Sequence, residues 1–277
     1  AAPGFFVGRA MTPSPQILGI LNITADSFSD GGRYLEPAAA LAHGRGLAAD
    51  GADAVDAGAA SSNPDAGAVG AATEIARLAP VVPALVAEGI AVSVDSYEPE
   101  VQLWALDQGV AFLNDIHGFP DAALYPRLAD SAARLIVMHA VQDRGKASRI
   151  DVPPGEIMGR IFAFFDARVA ALERAGIARS RLVLDPGMGF FLGTDPETSL
   201  EALRRLPELK ARYGLPVLVS VTRKSFIRRI AGRGVADSLP ATLAAELFAA
   251  AQGADMIRTH EPRPLRDALR VTAALAG

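Results

Sequence analysis

Eight times between residue 17 and the C-terminus this chain repeats one pattern. A short apolar run ends in polar residues, and a stretch with helical apolar spacing follows. The runs at 17–21, 54–56, 90–94, 110–113, 134–137, 181–184, 216–221 and 255–257 read as buried strands, since each is short and bounded by turn residues. The intervening segments 36–50, 70–88, 98–108, 121–131, 155–175, 196–213, 224–231, 240–252 and 262–275 read as helices, several of them stopped by glycine at 89, 109, 176 or 214. Strands alternating with helices form a parallel sheet with helices outside. Eight such units in 277 residues, half of them apolar, predict an α/β fold: a closed (β/α)8 TIM barrel, built as a single domain.

Composition narrows the function. The net charge is −4 with no basic run, so nucleic acid is not an expected partner. There is no cysteine, which excludes disulfides and thiolate metal sites. No apolar stretch reaches the length of a membrane span, and residues 1–10 lack the charged start and apolar core of a signal peptide, so the cytoplasm is the default location. Met11 reads as a natural start. Residues 1–10 are expected to be an added or disordered extension, and residues 11–277 the barrel.

Polar residues cluster where the strands end. Asn22, Asp56, Asp95, Asn114, Asp115, His139, Asp185, Lys224, Arg258 and His260 all fall at or just past a predicted strand terminus. One such residue is readily a helix cap. Ten from eight strands converge on one barrel mouth and predict an active site there. Asp95, Asn114 and Asp185 accept hydrogen bonds from ring N–H and amino groups, and Lys224 donates in return, a set that suits a flat heterocycle. Arg258 and His260 flank Thr259 on one side of an extended segment and, with Asn22 and the glycines of the first loop, suit a phosphate-like anion. Asn22 also offers a hard oxygen ligand, better matched to Mg2+ than to zinc. Asp56 stands between a site role and a structural one; Asp115 and His139 read as supporting groups or caps. Loop 141–154 reads either as a lid or as a plain connector. No Gly-x-Ser-x-Gly elbow lies at a strand end, which disfavours a serine hydrolase.

Several segments then fall into a known order. Asn22-Ile-Thr-Ala-Asp-Ser-Phe-Ser-Asp-Gly-Gly32 resembles the first signature of the dihydropteroate synthases, with Ala25 in place of the usual proline. Ser93-Val-Asp-Ser-Tyr97, Leu113-Asn-Asp-Ile116, Leu184-Asp-Pro-Gly187, Thr222-Arg-Lys-Ser-Phe226 and Arg258-Thr-His260 are similar to further motifs of that family. The resemblance spans residues 17–262 and implies the same barrel. It also implies a reaction: 6-hydroxymethyl-7,8-dihydropterin diphosphate joins p-aminobenzoate, diphosphate leaves, and Mg2+ assists. By position, Asp95, Asn114 and Asp185 would hold the pterin edge, with Lys224 over the ring and Met138 in the wall. Asn22, Arg258 and His260 would hold the diphosphate, Asn22 also the metal. Phe28, Ser62, Pro64, Phe190 and Ser225 would line the p-aminobenzoate site, and Asp30 would help to close the first loop. Asp95, Asp185, Lys224, Arg258 and His260 would be the catalytic set. A homodimer is implied, and no membrane partner.

Two departures stand out. The family's second loop usually reads Glu-Ser-Thr-Arg-Pro-Gly; here it is Ala60-Ser-Ser-Asn-Pro-Asp65, without the arginine. After Gly189 the usual Phe-Gly-Lys becomes Phe190-Phe191-Leu192-Gly193. Both resemble the sulfonamide-resistant, Sul-type enzymes, with Phe191 and Ser62-Asn63 as expected sources of drug discrimination. Three alternatives stay open. One is a sulfonamide-sensitive chromosomal synthase. A second is a pterin-binding methyltransferase domain, which would need neither the first loop nor the Arg-Thr-His clamp. The third is a non-catalytic pterin-binding paralogue, for which the missing arginine speaks.

Overall fold

Both faces of the strands are buried, but against different cores, and that division places the site. The computed structural model describes residues 14–24, 36–61, 67, 69–142, 145, 147 and 149–276. The first half of the chain runs β1 (Gln16–Asn22), α1 (Pro37–Ala49), β2 (Ala54–Gly58), α2 (Ala71–Leu78), α3 (Val82–Ala87), β3 (Val92–Asp95), α4 (Pro99–Asp107) and β4 (Phe112–Asp115). It continues through α5 (Tyr125–Asp130), β5 (Arg134–Met138), α6 (Pro154–Arg174), β6 (Leu182–Asp185), α7 (Pro196–Arg204) and α8 (Leu206–Tyr213). It ends with β7 (Leu218–Val219), α9 (Ser225–Ala231), α10 (Leu239–Ala251), β8 (Met256–Thr259) and α11 (Pro262–Ala276).

The eight strands pair in parallel in the order β6-β5-β4-β3-β2-β1-β8-β7. The gap between β6 and β7 is spanned by a parallel bridge from Leu184 to Val217 and by the Leu184 N–H donating to the Pro216 carbonyl at 2.9 Å. The sheet is therefore a nearly closed barrel, as the eightfold repeat predicts. No helix among the described residues is long and apolar enough to cross a membrane.

Alternation along the strands sorts the side chains. Ile17, Val55, Val94, Leu113, Leu135 and Leu184 point out and join the large core beneath the helices. Leu18, Ala54, Phe112, Ile136, Val183, Leu218 and Met256 point in and form a separate apolar layer inside the barrel. Two residues further along each of those seven strands stand Ile20, Asp56, Asn114, Met138, Asp185, Ser220 and Arg258. The barrel interior thus changes from apolar to largely polar over one strand repeat, about 7 Å.

Four predicted elements are corrected. The helix expected over 70–88 breaks into α2 and α3, because Pro80 and Pro83 remove two N–H groups from one turn. The helix over 196–213 breaks at Arg205, ahead of Pro207. The segment 121–131 opens with a single 3-10 turn over Ala122–Leu124, where Asp121 Oδ1 accepts from the Ala123 N–H at 2.9 Å. β7 shrinks from the expected 216–221 to two residues. Pro216 has no N–H to give, and the Val217 N–H donates to Asp255 Oδ2 at 2.8 Å instead of to a neighbouring strand. Strands β3, β4 and β8 also end one or two residues later than the apolar runs, because their polar last residues stay within the ladder. The expected extension at 1–10 lies outside the described residues.

Candidate active site

A cavity of about 470 Å³ opens at the C-terminal ends of the strands. Of the ten polar strand-end residues, Asn22, Asp56, Asp95, Asp185, Lys224, Arg258 and His260 line it. Asn114 lies directly behind Asp95, fully buried, and donates from Nδ2 to Asp95 Oδ1 at 2.5 Å. Asp115 and His139 turn away. Each is one residue out of phase with an inward neighbour, so each faces the helical layer. Asp115 accepts from Gln102 and from the His117 N–H (2.9 and 2.7 Å). The His139 Nδ1 lies 3.1 Å from the Pro186 carbonyl, and its ring packs edge-on to Phe164. Burial pushes the His139 pKa down to about 4, so the ring is neutral at pH 7. Neither lines the cavity.

The floor of the cavity is a buried ion cluster. Arg258 Nε lies 2.8 Å from Asp56 Oδ2, and its Nη1 lies 3.7 Å from Asp185 Oδ2. Asp56 thus pairs with Arg258 and also faces the cavity. Asp185 is further fixed by the Gly187 N–H, which donates to Oδ1 at 2.8 Å. Gly187 has φ +75°, and a Cβ there would lie 2.4 Å from the His139 carbonyl, so only glycine makes this turn. Burial disfavours the charge on Arg258, but Asp56, Asp185 and Asp95 outweigh it and raise its pKa.

The remaining charges are strained by desolvation. Burial, reinforced by the charge of Asp56, raises the Asp95 pKa to about 6, against the pull of Arg258 and Asn114. Burial raises Asp185 as well, opposed by Arg258, the Gly187 N–H and Lys224. Burial lowers Lys224 to about 8, although Asp185 pulls the other way. Asp56 Oδ1, Asn114 Oδ1, Asp185 Oδ2 and Arg258 Nη2 are buried without a hydrogen-bond partner in the protein. Such atoms at the cavity floor and just behind it, acceptors on the carboxylates and the amide and a donor on the guanidinium, are a set that a ligand can satisfy.

The rim is aromatic and cationic. Phe190 and Phe191 line the cavity beside Ser225, the first residue of α9. Phe191 is buried in a cluster with Ile116, Met138 and Ala147, and Lys224 Nζ sits 4.9 Å from its ring centre. The stem of Lys224 packs against Gly189, where a Cβ would crowd it at 3.3 Å. Thr222 Oγ1 lies 3.0 Å from His260 Nδ1, tying the chain past β7 to the end of β8. Phe28, Asp30, Ser62 and Pro64 lie outside the described residues. Sequence reasoning missed Ser220, Met188, Arg149 and Arg228, which also line the cavity. Ser220 was recoverable from alternation two residues past Leu218; the two arginines carry no periodic signal.

Comparison with known proteins supplies the family. The profile of the family described as pterin binding enzyme matches residues 18–260. The type-2 dihydropteroate synthase of Escherichia coli is 66% identical over 265 residues, 96% of this chain and 97% of that one. The dihydropteroate synthase of Xanthomonas albilineans solved with 4-aminobenzoic acid aligns with a TM-score of 0.85 and 36% identity, covering 95% of this chain and 93% of that one. The enzyme of the same organism in complex with 7,8-dihydropteroate gives 0.80 and 31%, with the same coverage of both chains. This chain belongs to the pterin binding enzyme family, and within it to the dihydropteroate synthases.

Proposed function

We propose that this chain is a transferase of folate biosynthesis that condenses 6-hydroxymethyl-7,8-dihydropterin diphosphate with p-aminobenzoate, releases diphosphate, and is insensitive to sulfonamides. The observation that carries the reading is the Asp95 carboxylate, held from behind by Asn114, in one cavity with the Asp56–Arg258–Asp185 ion cluster. Asp95, Asn114 and Asp185 take the pterin's ring N–H and amino groups, Lys224 lies over the ring, and Met138 forms the wall. The Arg258 Nη2, which has no hydrogen-bond partner within the protein, faces the diphosphate together with His260 and Asn22.

Charge dictates the chemistry. The C–O bond to diphosphate breaks, and Arg258 and His260 stabilise the charge that collects on the leaving oxygens. The pterin methylene becomes cationic, and Asp95 or Asp185 stabilises it. The C–N bond to the aromatic amine then forms, and the nitrogen gives up one proton to the departing diphosphate or to solvent water. That amine is neutral at pH 7, so no strong base is needed. Among the described residues no group of three metal-binding side chains exists. Magnesium keeps several waters and is held by substrate phosphates with one or two protein ligands, commonly carboxylates, so Asn22 at the mouth would add one amide oxygen beside the diphosphate. When bound, Mg2+ supplies further positive charge to the leaving diphosphate. The resemblance also implies a homodimer; exposed Val271 and Leu275, one turn apart on α11, offer apolar surface for the contact.

Phe191, with Ser62 and Asn63, supplies drug selectivity. Its buried ring, packed with Met138 and under Lys224, narrows the p-aminobenzoate site toward its carboxylate end, and a sulfonamide reaches past the point where that carboxylate ends. Discrimination of a few kcal/mol is a hundredfold or more. The test is the rate of dihydropteroate formation in Mg2+ across p-aminobenzoate concentrations, with and without a sulfonamide. Turnover with inhibition far weaker than the KM for p-aminobenzoate is expected, and Phe191→Gly is expected to restore inhibition. Inhibition near that KM removes the resistance claim. Pterin binding without turnover leaves a non-catalytic paralogue. An active Phe191→Gly variant with unchanged drug response removes the role of Phe191.

A further inference from the structure

Behind the cavity wall, Gln102 of α4 is 1% exposed and reaches two strand tips at once. Its Nε2 donates to the Ser96 carbonyl at 2.8 Å and to Asp115 Oδ2 at 2.9 Å. A carbonyl and a carboxylate only accept, so the amide NH2 must face both of them. The amide oxygen is thereby left buried without a partner. Methionine or leucine would fill the same space without that cost, so the two donated bonds are what the position requires.

The place of those bonds matters. Ser96 follows Asp95, and Asp115 follows Asn114. The β3–β4 register ends at Asp95 opposite Asn114, and beyond it a single backbone bond continues, from the Ser96 N–H to the Asn114 carbonyl at 3.1 Å. Gln102 takes over where the ladder stops. On the cavity side of the same two tips, Asn114 Nδ2 meets Asp95 Oδ1. The bridge is anchored at both ends: Asp115 Oδ1 accepts from the His117 N–H at 2.7 Å, and Ser96 Oγ accepts from the Glu98 N–H at 3.1 Å.

We infer that Gln102 is a positioning residue, whose amide bridge from Ser96 to Asp115 sets the spacing at which Asp95 and Asn114 present their acceptor oxygens to the dihydropterin ring. This rests on reading Asp95 and Asn114 as the pterin groups. Around the bridge stand Asp115 and His117 from β4 and its loop, Asp95 and Glu98 from β3 and its loop, and Glu74 and Arg77 from α2.

The experiment measures the Kd of 6-hydroxymethyl-7,8-dihydropterin diphosphate on the full chain in Mg2+, with steady-state KM values for both substrates. The parent is compared with Gln102→Met, Gln102→Glu and Asn114→Ala. Gln102→Met, which keeps the volume and loses the donor, is expected to weaken pterin binding about tenfold and to leave the KM for p-aminobenzoate unchanged. Gln102→Glu is expected to fall further behind the parent as pH rises, because its ionised carboxylate faces Asp115 and a carbonyl. A merely structural glutamine would lower Tm and affect both substrates alike. Parent-like pterin binding by Gln102→Met, with Asn114→Ala weakened, overturns the bridge alone. Parent-like binding by Asn114→Ala overturns the pterin reading and the bridge with it. If Gln102→Met does not fold, a pH-independent ratio between parent and Gln102→Glu overturns the bridge.

Discussion

Val183 and Asp185, Met256 and Arg258, and Phe112 and Asn114 are neighbours on the same inward face of the same strands, two residues apart, yet they do opposite work. The lower layer of the barrel interior is closed and apolar. Its side chains are essentially buried, and each one larger than Ala54 contributes about 1.5–3 kcal/mol by leaving water. The upper layer buries Asp56, Asn114, Asp185 and Arg258 at a desolvation cost that their mutual contacts only partly offset. The lower layer holds the fold, and the upper layer spends part of that stability on charges aimed at a ligand. The comparison implies that the two layers can be damaged separately.

The sharpest break is at Arg258. Arg258→Met removes the cation that faces the leaving diphosphate and strands Asp56 and Asp185 as two buried, unpaired carboxylates. A fall in kcat/KM of about a thousandfold or more is expected, with a lower Tm at neutral pH that recovers partly as the solution is acidified. Steady-state rates and calorimetric melts would check both, and a thousandfold loss is far outside what the lower layer should produce. The opposite break is Ile136→Ala, in the lower layer. It is expected to cost about 2–5 kcal/mol of stability by opening a cavity, while kcat/KM per folded molecule stays within about threefold. Denaturant unfolding and active-site-normalised rates decide it. A folded but inactive Ile136→Ala would show that the layers are mechanically coupled.

This division also explains what could be read without coordinates. The apolar runs announced all eight strands, because a barrel strand buried on both faces must be continuously apolar in its first half. The same signal misplaced the strand ends. Asp95 and Arg258 were read as lying just past their strands, whereas β3 ends on Asp95 and β8 runs through Arg258 to Thr259. Hydrophobicity stops where the upper layer begins, one repeat before the hydrogen bonds stop. Proline at 80, 83 and 207 carried enough signal to break two helices that periodicity alone had joined. The site residues were legible as types at strand ends, and their family order gave them roles. Their partners were not. Nothing in the chain near Asp56 says that its carboxylate meets Arg258, 202 positions later, and Gln102 reads as an ordinary polar residue of a helix. Side-chain pairing across a barrel depends on register, and register is a property of the closed sheet.

The smallest of the expected effects tests the charge state of the upper layer directly. Asp95 is ionised above about pH 6 and Lys224 is cationic below about pH 8. If the pterin is held by a carboxylate on one side and an ammonium on the other, kcat/KM should be bell-shaped, level between those values and falling about tenfold per pH unit beyond each. Asp95→Asn should lower the plateau and remove the acid limb, whereas Ile136→Ala should leave both limbs in place. Stability should respond with the opposite sign on the acid side. Folded Asp95 holds its proton more tightly than its ordinary 3.8, so its contribution is present below that pH and is lost as pH rises through about 6. The limit for one group is about 1.4 kcal/mol per pH unit. Lys224 holds its proton less tightly than its ordinary 10.5, so its contribution is restored as pH rises from about 8 toward that value. Over the acid limb, activity should therefore climb while the parent loses stability relative to Asp95→Asn. Parallel rate and melting profiles of the two proteins would show it. If the parent and Asp95→Asn melt in parallel from pH 4 to 7, Asp95 is not desolvated in solution, and the cost assigned to the upper layer must lie in Asp56, Asn114, Asp185 and Arg258 alone.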